Sequence, residues 1–258
     1  MGILNITPDS FFDGGCYLDP DAACAQALRM VEEGADILDL GAESTQPGAL
    51  PVTDREELER LLPVLKRVRK EVTVPISIDT VRPEVAKECL EAGADIINDV
   101  SGLKRSGTEM AKVAKEFGAG LVLMHSRGTP ETMRTMARYE DVVTDVIEEL
   151  RESIRLAMDA GIERERIVVD PGLGFAKTPE QNLAILKKIS VFHELGLPVL
   201  LGPSRKSFIG KVTGRETKDR MFGTAACVAA CVRGGVQILR VHDAGAMRDV
   251  VRMTEAIQ

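Results

Sequence analysis

Eight times in 258 residues, a short apolar run ends in a polar or charged residue and passes into a segment with helical spacing. The runs are GILN (2–5), DILDLGAE (36–43), PISIDT (75–80), DIINDVS (95–101), GLVLMHS (120–126), RIVVDPG (166–172), PVLLGPSRK (198–206) and VQILRVHD (236–243). Strands that alternate with crossover helices are parallel, because a parallel neighbour is reached only through a long connection. Eight such units predict an α/β fold in which parallel strands close into a (β/α)8 TIM barrel. A barrel of this kind gathers its reactive groups at the C-terminal ends of its strands. The polar residues that end the eight runs are therefore expected in one mouth. No linker, low-complexity tract or charge block interrupts the rhythm, so residues 1–258 read as a single domain.

Helix signals fit this register. Asp19-Pro20 supplies a cap and a first-turn proline for the first helix, and Gly34 follows its end. Thr53 and Glu56 form a capping box for a helix running to about Glu71, with Pro63 expected to kink it. Arg82-Pro83 and Gly93 bracket the third helix, and Thr178-Pro179-Glu180-Gln181 repeats the capping box before the sixth. The segment GTAACVAACV (223–232) is small and apolar on every face. An outer barrel helix is normally amphipathic, so this one predicts a second burial partner and hence a homodimer.

Composition narrows the function classes. A formal charge of −7 and 3% aromatic residues disfavour a nucleic-acid-binding surface or stacking platform, while leaving room for a local cationic pocket. The longest low-charge stretch, Phe222 to Val232, is too short to span a membrane, and no leader pattern precedes the first strand. The five cysteines form no CxxC pair and read as small buried hydrophobes in a reducing, cytoplasmic setting.

By chemical type, Asn5, Asp79, Asn98, Asp99 and Asp170 place acceptors or amides at strand ends. A carboxylate deep in an apolar mouth is costly unless partnered. A 2-amino-4-oxopyrimidine ring offers an amino group and a ring N–H side by side, which one carboxylate accepts together, and Lys206 is placed to donate to the ring oxygen. Ser204, Arg205 and Lys206 follow strand seven, and Arg240 and His242 alternate past Val241 on strand eight, where such barrels often hold phosphate. Neutral Asn5 suits an oxygen ligand for Mg²⁺ that arrives with a phosphorylated substrate. The loops NITPDSFFDGG (5–15) and GAESTQPGA (41–49), after strands one and two, are long and turn-rich, as lids over a site tend to be.

Taken in order, GILNITPDSFFDGG, GAESTQPGA, SIDT, NDVSG, LMH, DPGLGF, GPSRKSF and RVHD resemble the signatures of the dihydropteroate synthases, pterin-binding enzymes of folate biosynthesis. The likeness spans essentially the whole chain. It implies condensation of a dihydropterin methyl diphosphate with p-aminobenzoate, with diphosphate released. It implies further that Asp79, Asn98, Asp170 and Lys206 bind the pterin and that Met124 lines its slot. Asn5 is implied at the Mg²⁺ and diphosphate position, with Arg240, Val241 and His242 on the diphosphate. Thr45, Pro47, Phe175, Ser204 and Arg205 are implied around the aminobenzoate. The resemblance gives Asp79, Lys206, Arg240 and His242 the catalytic roles. Gln46 departs from the pattern, standing where an Arg is usual, and Arg127 is the candidate replacement cation. Two readings compete: a methyltransferase that moves a methyl group from methyltetrahydrofolate to a corrinoid protein, and a catalytically inactive pterin-binding paralogue.

Overall fold

A computed structural model describes residues 1–7, 19–44, 49 and 51–258. Strands β1 (Gly2–Asn5), β2 (Leu38–Gly41), β3 (Ile76–Asp79), β4 (Ile96–Asp99), β5 (Gly120–Met124) and β6 (Ile167–Asp170) form one parallel sheet in sequence order. Strands β7 (Leu200–Leu201) and β8 (Ile238–Leu239) form a second parallel pair. Single bridges close both seams. Val169 pairs with Val199 across β6 and β7, and Gly2 pairs with Val241 across β8 and β1. At the second seam the Ile3 amide donates to the Val241 carbonyl at 2.9 Å, and the Val241 amide donates to the Met1 carbonyl at 2.9 Å. The eight strands thus close on themselves as the TIM barrel the sequence predicts.

Helices wrap the sheet: α1 (Pro20–Glu32), α2 (Asp54–Arg69), α3 (Pro83–Glu91), α4 (Thr108–Glu116), α5 (Val142–Asp159), α6 (Pro179–Lys187), α7 (Ser207–Thr213), α8 (Met221–Arg233) and α9 (Ala244–Ala256). The expected caps form. Asp19 accepts from the Asp21 amide, and both boxes, Thr53 with Glu56 and Thr178 with Gln181, are complete. Helix α2 continues through Pro63.

Register sets what the mouth receives. Asn5 lies level with Gly41, Gly41 with Asp79, and Asp79 with Asn98. Neighbours at one level of a parallel sheet face the same side, and residues two apart on a strand share a face. Asn5, Asp79 and Asn98 therefore point into one layer. Asp39, two residues before Gly41, points inward one layer deeper. Gly41 has a packing reason to lack a side chain, since a Cβ there would meet the Asp79 Cβ at 3.3 Å.

Candidate active site

Two adjoining cavities open at the C-terminal ends of the strands. The narrower, about 310 Å³, is lined by Asp79, Asn98, Met124, Asp170, Lys206 and Arg240, with Val100, Leu173, Phe175 and Gly202. The wider, about 520 Å³, lies over the β3–β5 loops and shares Asp79, Val100 and Phe175 with the first. Five of the residues singled out for ring binding thus meet in one cavity, from five different strands or their following loops.

Arg240 organises its floor. Its Nε donates to Asp39 Oδ2 at 2.6 Å and its Nη2 to Asp79 Oδ2 at 2.8 Å. The Asn98 amide nitrogen donates to Asp39 Oδ2 at 3.4 Å, which leaves the Asn98 carbonyl oxygen facing away from that bond. Asp39 was not foreseen. It sits mid-strand, inside an apolar run, and a carboxylate there is itself the signal of an inward partner.

Burial dominates the electrostatics. It pushes the Asp79 carboxyl up to about 7, with Arg240 opposing and Asp39 reinforcing the shift. Asp170 rises to about 6 for the same reason, although its Oδ1 accepts the Gly172 amide at 2.7 Å. Burial, aided by the Arg240 charge, brings the Lys206 ammonium down to about 8. Its Nζ lies 4.5 Å from the centre of the Phe175 ring, a cation–π contact. These two carboxyls and the Lys206 ammonium all line the narrow cavity.

Other expected residues have different surroundings. His242 is paired through Nδ1 with Ser204 Oγ at 2.9 Å, and burial beside Arg240 lowers it to about 3. Its Nδ1 is thus engaged by Ser204 at the end of strand β8, beside Arg240. The Val241 side chain packs outward with Val228 and Met247, while its backbone closes the barrel. Arg205, with φ +54°, makes a bidentate pair with Asp243 at 3.0 and 2.8 Å and donates to the Lys218 carbonyl at 2.7 Å. Arg205 and Ser204 line neither cavity; among described partners they brace the β7 and β8 loops. Asp99 accepts from the Ser101 amide at 2.8 Å and the Leu103 amide at 3.0 Å, so it shapes its own loop.

Arg127 lines the wider cavity, but its Nε donates to Glu149 at 2.8 Å and its guanidinium stacks 3.9 Å from the Tyr139 ring centre. Its charge is countered by Glu149 at the edge of that cavity. Thr45, Gln46 and Pro47 lie outside the described residues, as do residues 8–15 of the first long loop and 48 of the second.

The half-buried Asn5 side chain has no hydrogen-bond partner among the described residues and points into the layer of Asp79. A neutral amide oxygen in that position fits Mg²⁺, which takes few protein ligands and binds phosphate oxygens directly. Among the described residues no group of three or more His, Cys, Asp or Glu is placed to hold a metal. Cys227 and Cys231, four apart on α8, are thiols that burial pushes up to about 11 and about 12.

A closed parallel barrel with buried carboxyls, a lysine and an arginine gathered at one mouth defines the class: a TIM-barrel protein with a polar pocket at its strand ends. The chain belongs to the pterin binding enzyme family, whose pattern it matches over residues 1–242. The dihydropteroate synthase of Synechocystis is 45% identical over 258 residues, which cover all of this chain and 89% of that one. The Yersinia pestis dihydropteroate synthase, solved in a sulfonamide drug complex, superposes with a TM-score of 0.96 at 38% identity, covering 100% of this chain and 93% of its own. The Xanthomonas albilineans enzyme in complex with 7,8-dihydropteroate gives 0.89 at 40% identity, covering 100% and 92%.

Proposed function

We propose that this chain is a dihydropteroate synthase, joining 6-hydroxymethyl-7,8-dihydropterin diphosphate to p-aminobenzoate with release of diphosphate. The observation that carries this reading is the narrow cavity, where Asp79, Asn98 and Asp170 present acceptors and Lys206 and Arg240 present cations. Asp170 Oδ2 and the Asn98 carbonyl take the ring's amino and N–H donors, and Lys206 donates to its oxygen. Arg240, anchored on Asp39, keeps its Nη1 for the diphosphate. His242 adds a neutral donor there. Asn5 would hold Mg²⁺ together with diphosphate oxygens, and the ion, when bound, would neutralise leaving-group charge. The C–O bond breaks with its electron pair leaving on diphosphate, and the cation at the exocyclic carbon is delocalised into the ring. Ionised Asp79 stabilises that cation. The aminobenzoate nitrogen, seated against Phe175, forms the new C–N bond and then loses one proton.

This chemistry needs no activated protein nucleophile. The methyltransferase alternative leaves the cations of the mouth without a diphosphate to hold. The decisive experiment is diphosphate release by purified protein, with and without p-aminobenzoate and with Asp170→Ala as control. Release that needs the amine and falls in the variant supports the reading; none from the unaltered protein removes it.

The assembly proposed is a homodimer through α8, in a cytoplasmic protein. Phe222, Ala226 and Ala230 are exposed at intervals of four along this helix, and Phe222 retains 82% of its accessible surface. Such a stripe is apolar enough to pair with its copy. A monomer mass by light scattering counts against it. No helix among the described residues is long and apolar enough to cross a membrane.

A further inference from the structure

The segment between β6 and α6 is bent in an uncommon way. Gly172 (φ +71°), Gly174 (φ +83°) and Ala176 (φ +48°) are all left-handed, and buried Ala176 carries a Cβ there. A non-glycine residue keeps that conformation only where its surroundings over-determine it. They do so here. The Gly174 amide donates to Asn182 Oδ1 at 2.6 Å, and the Tyr139 hydroxyl donates to the Ala176 carbonyl at 3.0 Å.

At the centre of this loop is Lys177. Its ammonium reaches three acceptors: His125 Nδ1 at 2.9 Å and the carbonyls of Gly172 and Phe175, each at 3.0 Å. Burial lowers this ammonium to about 7, and in its charged form its three donors are all used. Because Nδ1 accepts, the His125 proton is on Nε2, which lies 3.2 Å from Glu149 Oε2. Glu149 is held in turn by Lys104 and Arg127. The chain of contacts runs from α5 to the loop carbonyls without a gap.

What this network holds up is Phe175. The ring lines both cavities and lies under Lys206. We propose that Lys177 is a positioning residue for the second substrate: seated on His125 and two loop carbonyls, it fixes Phe175 in the wall shared by the two cavities. The p-aminobenzoate site is thereby set by a residue that touches neither substrate. This inference rests on the function proposed above for its substrates, while its structural half stands by itself.

The test is Lys177→Met, which keeps the stem and removes the donors. The KM for p-aminobenzoate is expected to rise about tenfold, while the KM for the pterin diphosphate stays within about twofold. Equal changes in both constants, or in neither, overturn the proposal. A crystal structure of the variant supplies a readout free of activity: Phe175 displaced from Lys206 is expected, and Phe175 unmoved overturns it. Should the unaltered protein release no diphosphate, the proposed function fails and the crystal structure still decides this point. If Lys177→Met does not fold, Tyr139→Phe loosens the same turn from outside. A rise of about threefold in the p-aminobenzoate constant alone is then expected, and no rise overturns the proposal.

Discussion

Arg240 reaches back across 201 residues to Asp39, its Nε 2.6 Å from Oδ2, and this pair fixes the direction in which the guanidinium faces the mouth. Asp39 is fully buried, and its other oxygen, Oδ1, has no hydrogen-bond partner among the described residues. Removing one partner of a buried pair leaves the other charge uncompensated, which typically costs about 3 kcal/mol or more. Asp39→Asn is expected to lower stability by about that amount, and kcat/KM for the pterin diphosphate by about tenfold or more. Urea unfolding and diphosphate release measure the two effects. A variant unchanged in both shows that the pair does not orient Arg240.

The barrel was legible because period and punctuation agree: eight apolar runs, each followed by a helix, three of those helices with caps readable in Asp19, Thr53 and Thr178. Five ring-site residues were legible for a related reason, since a strand end in a parallel barrel has a known address. Asp39 was missed because it ends nothing. It lies one layer below the mouth, and its role appears only when Arg240 arrives from the far end of the chain. Lys177 was missed because a lysine after a glycine-rich turn reads as solvated. Its burial comes from His125 and from carbonyls that a one-dimensional pattern does not bring together.

The pH profile follows from the same burial. Asp79 rises to about 7 and Asp170 to about 6, so the carboxylates the ring requires form as pH increases through that range. Lys206 falls to about 8, so its donor charge is lost as pH rises past that value. The profile of kcat/KM reports groups of the free enzyme. It is expected to be bell-shaped, with its maximum between about 7 and about 8. Lys206→Met should remove the part of the alkaline limb centred near 8 and weaken the pterin, leaving the part due to Lys177, which burial lowers to about 7. A flat profile across this range in the unaltered protein contradicts the assignment of both groups.

Metal dependence gives a separate check on Asn5. Chelation is expected to suppress diphosphate release, and added Mg²⁺ to restore it. Asn5→Ala should raise the Mg²⁺ concentration needed by about tenfold, because one of few protein oxygens is lost. Calorimetric binding of a pterin without diphosphate should be unaffected. Loss of that binding instead places Asn5 in the ring site.

Arg82 makes a stability prediction away from the ring site. Its Nη1 donates to Glu57 Oε2 at 2.6 Å and to Glu43 Oε2 at 2.7 Å, and its Nη2 donates to the Val52 carbonyl at 2.6 Å. Glu57 is fully buried, its Oε1 has no hydrogen-bond partner among the described residues, and the Thr80 side chain also hydrogen-bonds its carboxyl. Burial raises the Glu57 carboxyl, and Arg82 is the foremost opposing influence. Arg82→Ala should therefore cost about 3 to 5 kcal/mol, because it strands a carboxylate in an apolar setting. Adding Glu57→Leu should recover much of that loss, since an apolar side chain tolerates the site without a counter-charge. Urea midpoints of the single and double variants decide it. A double variant no more stable than Arg82→Ala shows that the loss comes from the other contacts of Arg82, to Glu43, Asp54 and Val52, and not from stranded charge on Glu57.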